Sequence, residues 1–367
     1  MWRKHNGWNG RNDRSWTRTS CGKCDLTEST IAATLRPVPC NLRQNQQKYV
    51  GMSWRKVRHL AEYIGFRTMV CVVQCLAFRH SVRLARCLAF AVHHLLPERL
   101  NRRGVARDNL RRALGDRYSR QQVDHIIHQM WVHLFRMVAE VVQMPRKLRR
   151  DNTLEVLEFR QREAVVQALC TGRPVIVLSG HFGNWEMATS VFGHFGFPMG
   201  VVARDLDNPW IHAWMERFRR HTGHVLISKK GGADRMVHML ERRGHLALLG
   251  DQDAGSKGLF VEFFGQPAST FKSIALLAMQ YRALICVGYA RRLPDRFEDR
   301  NWVRYELGCE QIIDPDDYDG SQRIHSITQA YTRALENVVR RTPEQYFWVH
   351  RRWKSAPRKR RQHNRAA

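Results

Sequence analysis

The feature that most limits what this chain can fold into begins at residue 174. Pro174-Val175-Ile176-Val177-Leu178-Ser179 holds an unbroken apolar run, Val175 to Leu178, in which three of four residues are β-branched. Such a run predicts a strand buried on both faces, as in a sheet covered by helices on each side. Further strand candidates follow at Met199 to Ala203, His224 to Ile227, His245 to Leu249 and Leu284 to Ala290. Segments of helical periodicity fill the gaps near 185–194, 208–221, 232–243 and 270–281, and a last helix is expected at about 322–340. Strands alternating with helices predict an α/β fold with a mixed or largely parallel sheet flanked by helices. Trp302 to Leu307 reads as an edge strand.

The sequence before the sheet has a different texture. Residues 1–52 mix Asn, Arg, Ser, Thr, Gln and Gly without a sustained period, which predicts a disordered extension. Met52 is also a plausible alternative start, in which case residues 1–51 would not be translated. The N-terminus lacks the central apolar run of a secretory signal. Residues 53–97 are apolar and helix-forming, richest between Ile64 and Phe78, but Arg79, Arg83 and Arg86 interrupt them. That pattern is too short and too charged for a spanning helix. It suits membrane-associated helices lying in the interface, with arginines reaching lipid phosphates. Residues 98–150 are helical and basic, with Arg102, Arg103, Arg107, Arg111 and Arg112 clustered. The α/β domain is expected to occupy 98–355, and 356–367 is a basic tail.

Charge narrows the partners. Sixty-one Lys and Arg against 33 Asp and Glu give a net charge of +28. Such a surface seeks nucleic acid, anionic lipid or acidic proteins. No zinc finger, helix-turn-helix or RNA-binding aromatic signature supports nucleic acid. The nine cysteines are scattered, so no disulfide framework is expected. Cys21 and Cys24 have the spacing of half a zinc site, but no second pair closes it, and no metal site is expected.

Chemistry concentrates at Ser179-Gly180-His181-Phe182-Gly183-Asn184-Trp185-Glu186, between a buried strand and a helix. Strand carboxyl ends in α/β sheets face the ligand crevice. His181 can take a proton at neutral pH. Glu186, five positions on, can fold back to orient the ring, as in hydrolytic triads. No serine or cysteine stands at a suitable elbow, so the substrate's own hydroxyl is the expected nucleophile.

This segment resembles the His-x4-Asp/Glu motif of glycerolipid acyltransferases. More narrowly, Gly180 to Glu186 resembles the motif of the lipid A biosynthesis lauroyl/myristoyl acyltransferase family. Other blocks resemble that family in the same order. They are Arg107-Asp108-Asn109-Leu110; Arg204 with Asn208-Pro209; Gly250-Asp251-Gln252-Asp253 with the stretch to Thr270; and Pro343-Glu344-Gln345-Tyr346 with Trp348 to Lys354. The likeness covers about residues 55–355. It implies a glycerolipid-acyltransferase-like α/β fold with an N-terminal membrane helix. It also implies acyl transfer from acyl carrier protein, or from acyl-CoA, to an anionic glycolipid at the cytoplasmic face of a bacterial inner membrane, with no cofactor. Another glycolipid or phospholipid acceptor is the nearest alternative.

On this reading His181 is the general base and Glu186 its orienter. Backbone N–H groups of Gly183 and Asn184 are expected to meet the oxyanion of the tetrahedral intermediate. Arg204 is expected to hold a phosphate or sugar oxygen. Asp251 and Asp253 are expected to bind sugar hydroxyls or position Arg204, unless they serve turn chemistry. Gln252 is assigned no role. The Trp348 to Lys354 stretch is expected to border the acceptor site or to pack the C-terminus on the core.

Overall fold

The computed structural model describes residues 53–298 and 301–357. The expectations for 1–51, for the Cys21–Cys24 pair and for most of the basic tail lie outside the described residues. The chain opens with helices α1 (Trp54–Cys75), α2 (Phe78–Phe90), α3 (Glu98–Asn101), α4 (Arg103–Leu114), α5 (Arg120–Lys147) and α6 (Thr153–Val156). Alternation then sets in: β1 (Leu157–Arg160), α7 (Arg162–Cys170), β2 (Val175–Ser179), α8 (Trp185–His194), β3 (Met199–Ala203), α9 (Pro209–Arg220), β4 (Val225–Ser228), α10 (Ala233–Glu241) and β5 (His245–Leu249). A hairpin, β6 (Leu259–Phe263) and β7 (Gln266–Thr270), precedes α11 (Lys272–Tyr281), β8 (Leu284–Arg292), β9 (Tyr305–Ile313) and α12 (Arg323–Arg341).

Seven strands form one sheet in the order β1-β9-β8-β2-β5-β3-β4. All neighbours are parallel except β8 and β9. The predicted mixed α/β sheet is therefore present. β2 sits at its centre, and its residues point alternately to two covered faces. Ile176 and Leu178 pack with Ile274, Ala278, Tyr331 and Leu335 of α11 and α12. Val175 and Val177 pack with Leu169, Phe192, Met199 and Cys286 on the other side. Each fully buried aliphatic side chain contributes roughly 1.5–3 kcal/mol, so the run at 175–178 anchors the sheet.

One strand expectation is corrected. Trp302 to Leu307 is not an edge strand. The strand begins at Tyr305 and lies inside the sheet between β1 and β8. Trp302 and Val303 precede it and are buried in a core cluster with Phe78 and Met144. The edge is taken by four-residue β1, whose alternating Glu158 and Arg160 are exposed to solvent.

The longest helix, α5, starts at a capping box in which Ser119 and Gln122 bond each other's backbone N–H. Helices α1 and α2 lean on it. Val70 and Val73 pack against Ala139 and Val142, and Gln143 Nε2 donates to the carbonyls of Val73 and Leu76. Among the described residues no helix is long and apolar enough to cross a membrane. Leu84, Leu88, Phe90, Leu95, Leu96 and Leu100 stand exposed along α2 to α3.

Candidate active site

Register brings the first pair together. β2 and β5 are parallel neighbours with Ser179 opposite Leu249, and the Gly250 N–H donates to the Ser179 carbonyl. The residues two positions beyond each strand end, His181 and Asp251, then arrive side by side. His181 Nδ1 lies 2.8 Å from Asp251 Oδ1, and the His181 backbone N–H donates to Oδ2, also at 2.8 Å. One buried carboxylate thus grips both the ring and the main chain. With the Nδ1 hydrogen donated, the lone pair sits on Nε2. Burial alone would lower the imidazole's pKa, but the charge of Asp251 and its hydrogen bond prevail and raise it. Burial opposes ionisation of Asp251, yet the charge and hydrogen bonds of His181 hold its carboxyl well below the usual range.

The expected orienter is therefore corrected. Glu186 does not bond the imidazole. Both its oxygens are taken by Arg219, at 3.0 Å from Nε and 2.5 Å from Nη2. Its charge still reaches the ring and raises the His181 pKa slightly. Glu186 lies in the first turn of α8, whereas Asp251 extends straight off the neighbouring strand.

The roles expected of Gly183 and Asn184 also change. Gly183 has φ +58°, and a Cβ there would stand 1.7 Å from the Ala290 carbonyl oxygen. The glycine serves close approach of the loop to β8, not of a substrate. The Gly183 N–H donates to the Gln345 carbonyl and the Asn184 N–H to the Ala290 carbonyl. Neither is free for an oxyanion. The Asn184 side chain is fully buried; its oxygen caps α8 by accepting from the Met187 N–H, and its Nδ2 donates to Glu140 Oε2.

Behind this loop lies a dry polar network that the sequence reading missed. Glu140, 0% exposed, accepts from Arg292 Nε at 2.8 Å, from Asn184 and from the Tyr305 hydroxyl. Arg292 Nη1 meets His133 Nδ1 at 2.5 Å, and His133 Nε2 donates to the Gly183 carbonyl at 3.0 Å. Burial and the Arg292 charge keep His133 neutral, its pKa well below the ordinary value. These groups come from α5, α8, β8 and β9, so no local spacing could have revealed them.

His181, Trp185, Glu186, Arg219 and Gln252 line a cavity of about 980 Å³. Its walls are mostly apolar and include Val177, Val191, Phe192, Val201, Ala247, Cys286 and Cys309. Arg204 and Lys229 also line it. The Arg204 side chain is 79% exposed and pairs with Asp207 at 3.2 Å. Asp253 is not a cavity residue. Its carboxylate accepts from Gly255 N, Ser355 N and the Ser355 hydroxyl, so turn chemistry is its observed role. Two other neighbours went unassigned in the sequence. Gln252 Nε2 is 3.5 Å from His181 Nε2. The His350 ring centroid is 6.0 Å from that of His181, and its Nε2 lies 3.1 Å from the Tyr346 hydroxyl. Burial keeps His350 below its ordinary pKa. Trp348 and Arg352 of the same stretch are buried, which is the expected packing of the C-terminus on the core.

Comparison with known proteins adds a family to this geometry. Residues 52–355 match the sequence profile described as bacterial lipid A biosynthesis acyltransferase. The lipid A biosynthesis lauroyltransferase of Escherichia coli (strain K12) is 26% identical over 188 residues, covering 50% of this chain and 58% of that protein. The lipid A biosynthesis palmitoleoyltransferase of the same strain is 27% identical over 195 residues, covering 52% of this chain and 59% of its own length. The aligned part thus spans under two thirds of these relatives.

Proposed function

Because the chain belongs to the bacterial lipid A biosynthesis acyltransferase family, we propose that it moves a fatty acyl group from a thioester donor to a hydroxyl of a lipid A precursor. The observation that carries this reading is His181, fixed at Nδ1 by buried Asp251 and lining a large, mostly apolar cavity. Nε2 removes the proton of the acceptor hydroxyl as its oxygen bonds to the thioester carbonyl carbon. The carbonyl π pair moves onto oxygen. On collapse the C=O re-forms, the C–S bond breaks, and the imidazolium returns its proton to the leaving thiolate. Asp251 stabilises the imidazolium between these steps. Glu186 adds negative charge and holds Arg219 at the cavity wall.

The acyl chain occupies the apolar part of the cavity. Acyl carrier protein, or less often coenzyme A, supplies it as substrate, and no cofactor is needed. The cationic rim, including Arg204 and Lys229, faces an anionic glycolipid. The enzyme works at the cytoplasmic face of the bacterial inner membrane, where its basic charge and the exposed apolar side chains of α2 and α3 meet anionic lipid.

The test is incubation of full-length protein with a pool of acyl-carrier-protein thioesters and lipid A precursor, with product masses read out. Wild type should add one acyl mass, and His181→Ala should lose about 10²- to 10⁴-fold in rate while remaining folded. Turnover by His181→Ala at the wild-type rate would sink the assignment. A product mass found only on another glycolipid or phospholipid would move the acceptor.

A further inference from the structure

An acyl transfer needs a donor aimed at the oxygen that becomes negative in the transition state. Three N–H groups of the motif loop, those of Gly183 and Asn184 expected to serve among them, are spent: His181 on Asp251, Gly183 on Gln345 and Asn184 on Ala290. The reaction still has to meet that charge beside His181 Nε2.

Gln252 stands there. Its Nε2 is 3.5 Å from His181 Nε2, and it lines the cavity while its neighbour Asp251 is buried behind the ring. Past the end of β5 the side chains of Asp251 and Gln252 approach different nitrogens of the same ring. Asp251 therefore meets Nδ1 and Gln252 meets Nε2, so two adjacent residues flank one imidazole. Since Nε2 carries a lone pair, the end of the carboxamide that faces it is the NH₂ group. The acceptor hydroxyl must occupy this same place to give up its proton. The thioester carbonyl it attacks is then one bond away, within reach of the displaced amide hydrogens.

Resting on the reaction proposed above, we propose that Gln252 is a catalytic residue whose side-chain N–H groups stabilise the tetrahedral oxygen during acyl transfer. It donates hydrogen bonds only. The proton still passes from the acceptor hydroxyl to His181 and on to the leaving thiolate, and Gln252 is unchanged at the end. The role gives this residue two partners in turn: the imidazole in the empty site, the oxyanion in the occupied one.

The experiment compares Gln252→Glu and Gln252→Met, both close in size to glutamine and both without a donor at that position, with Gln252→His, which restores one. Full-length enzyme is assayed with the same acyl-carrier-protein thioesters and lipid A precursor, and folding is followed by thermal unfolding. Gln252→Glu and Gln252→Met should lower kcat by about 10²- to 10³-fold. For Gln252→Met the donor KM, the melting temperature and the acid limb of the pH profile should stay in place, whereas Gln252→Glu sets a carboxylate beside Nε2 and should also move that limb to higher pH; Gln252→His should recover part of the rate. If both donor-less variants keep the wild-type kcat, or lose only in KM, Gln252 is not the donor. If instead the pH profile of the uncharged Gln252→Met moves and its plateau is regained, the residue only tunes His181, and the proposal is equally overturned. His181→Ala separates this from the reaction itself: an inactive His181→Ala beside a fully active Gln252→Met removes the role of Gln252 alone.

Discussion

Asp251 accepts two hydrogen bonds from the same residue, one from the His181 ring and one from its main chain. Its negative charge is what lifts the imidazole pKa against the effect of burial. The neutral imidazole is the form that can take a proton. A raised pKa therefore places the acid limb of the activity profile above the ordinary histidine value. Asp251→Asn removes the charge while keeping the shape. Its acid limb should move to lower pH, and its plateau should fall by about 10²- to 10⁴-fold because the imidazolium loses its counter-charge. A pH–rate profile of kcat/KM measures both, and an unmoved limb would count against Asp251 as the partner of His181.

At the scale of elements, α5 does more than cover the sheet. It inserts Glu140 and His133 behind the motif loop, where they tie β8, β9 and the cap of α8 into one network. Glu140→Ala would leave Arg292 buried without its carboxylate. Breaking a buried pair in this way costs roughly 3–5 kcal/mol, measurable by urea unfolding. A change under about 1 kcal/mol would mean that water or another acid replaces Glu140. The stretch from α2 to α3 carries the opposite case, apolar side chains exposed to solvent, such as Leu95 at 72% exposure and Leu100 at 70%. Arg79, Arg83, Arg86 and Arg99 are exposed around them. Changing Leu88, Leu95 and Leu100 together to Ser should reduce co-sedimentation with phosphatidylglycerol vesicles severalfold and leave the melting temperature almost unchanged. Equal sedimentation of variant and wild type would place the lipid contact elsewhere.

Across the whole molecule, six neighbouring strands contribute side chains of one sheet face to the cavity. Phe159 of β1, Leu307 of β9, Cys286 of β8, Val177 of β2, Ala247 of β5 and Val201 of β3 all line it. At about 4.8 Å between neighbouring strands, five intervals give a trough roughly 24 Å across. His181 lines it just past the end of β2. A larger side chain in the floor should shorten what fits. Cys286→Phe is expected to shift the product masses toward shorter acyl chains, with kcat retained for the shortest donors. An unchanged product distribution would mean that the chain lies outside this trough.

Local pattern was enough to read the alternation of strands and helices from 174 onward, because burial on two faces demands an apolar run and a helix demands its own period. Met199 to Ala203 and His245 to Leu249 were legible to the residue for that reason. The motif around His181 was legible too, as glycines and a histidine at a strand end. The partners of that histidine were not. Asp251 is 70 residues away and reaches it only because β2 and β5 are adjacent and in register. Glu186, close in sequence, is drawn off by Arg219 from α9. Gly183 and Asn184 look like substrate contacts until β8 is seen to take their N–H groups. The sequence by itself determined most of the elements, the histidine at the end of the central strand and the apolar character of the interior. Only the tertiary structure decided which carboxylate meets that histidine and which of its neighbours' N–H groups are taken, because strand order and register choose neighbours and hydrogen bonds are exclusive.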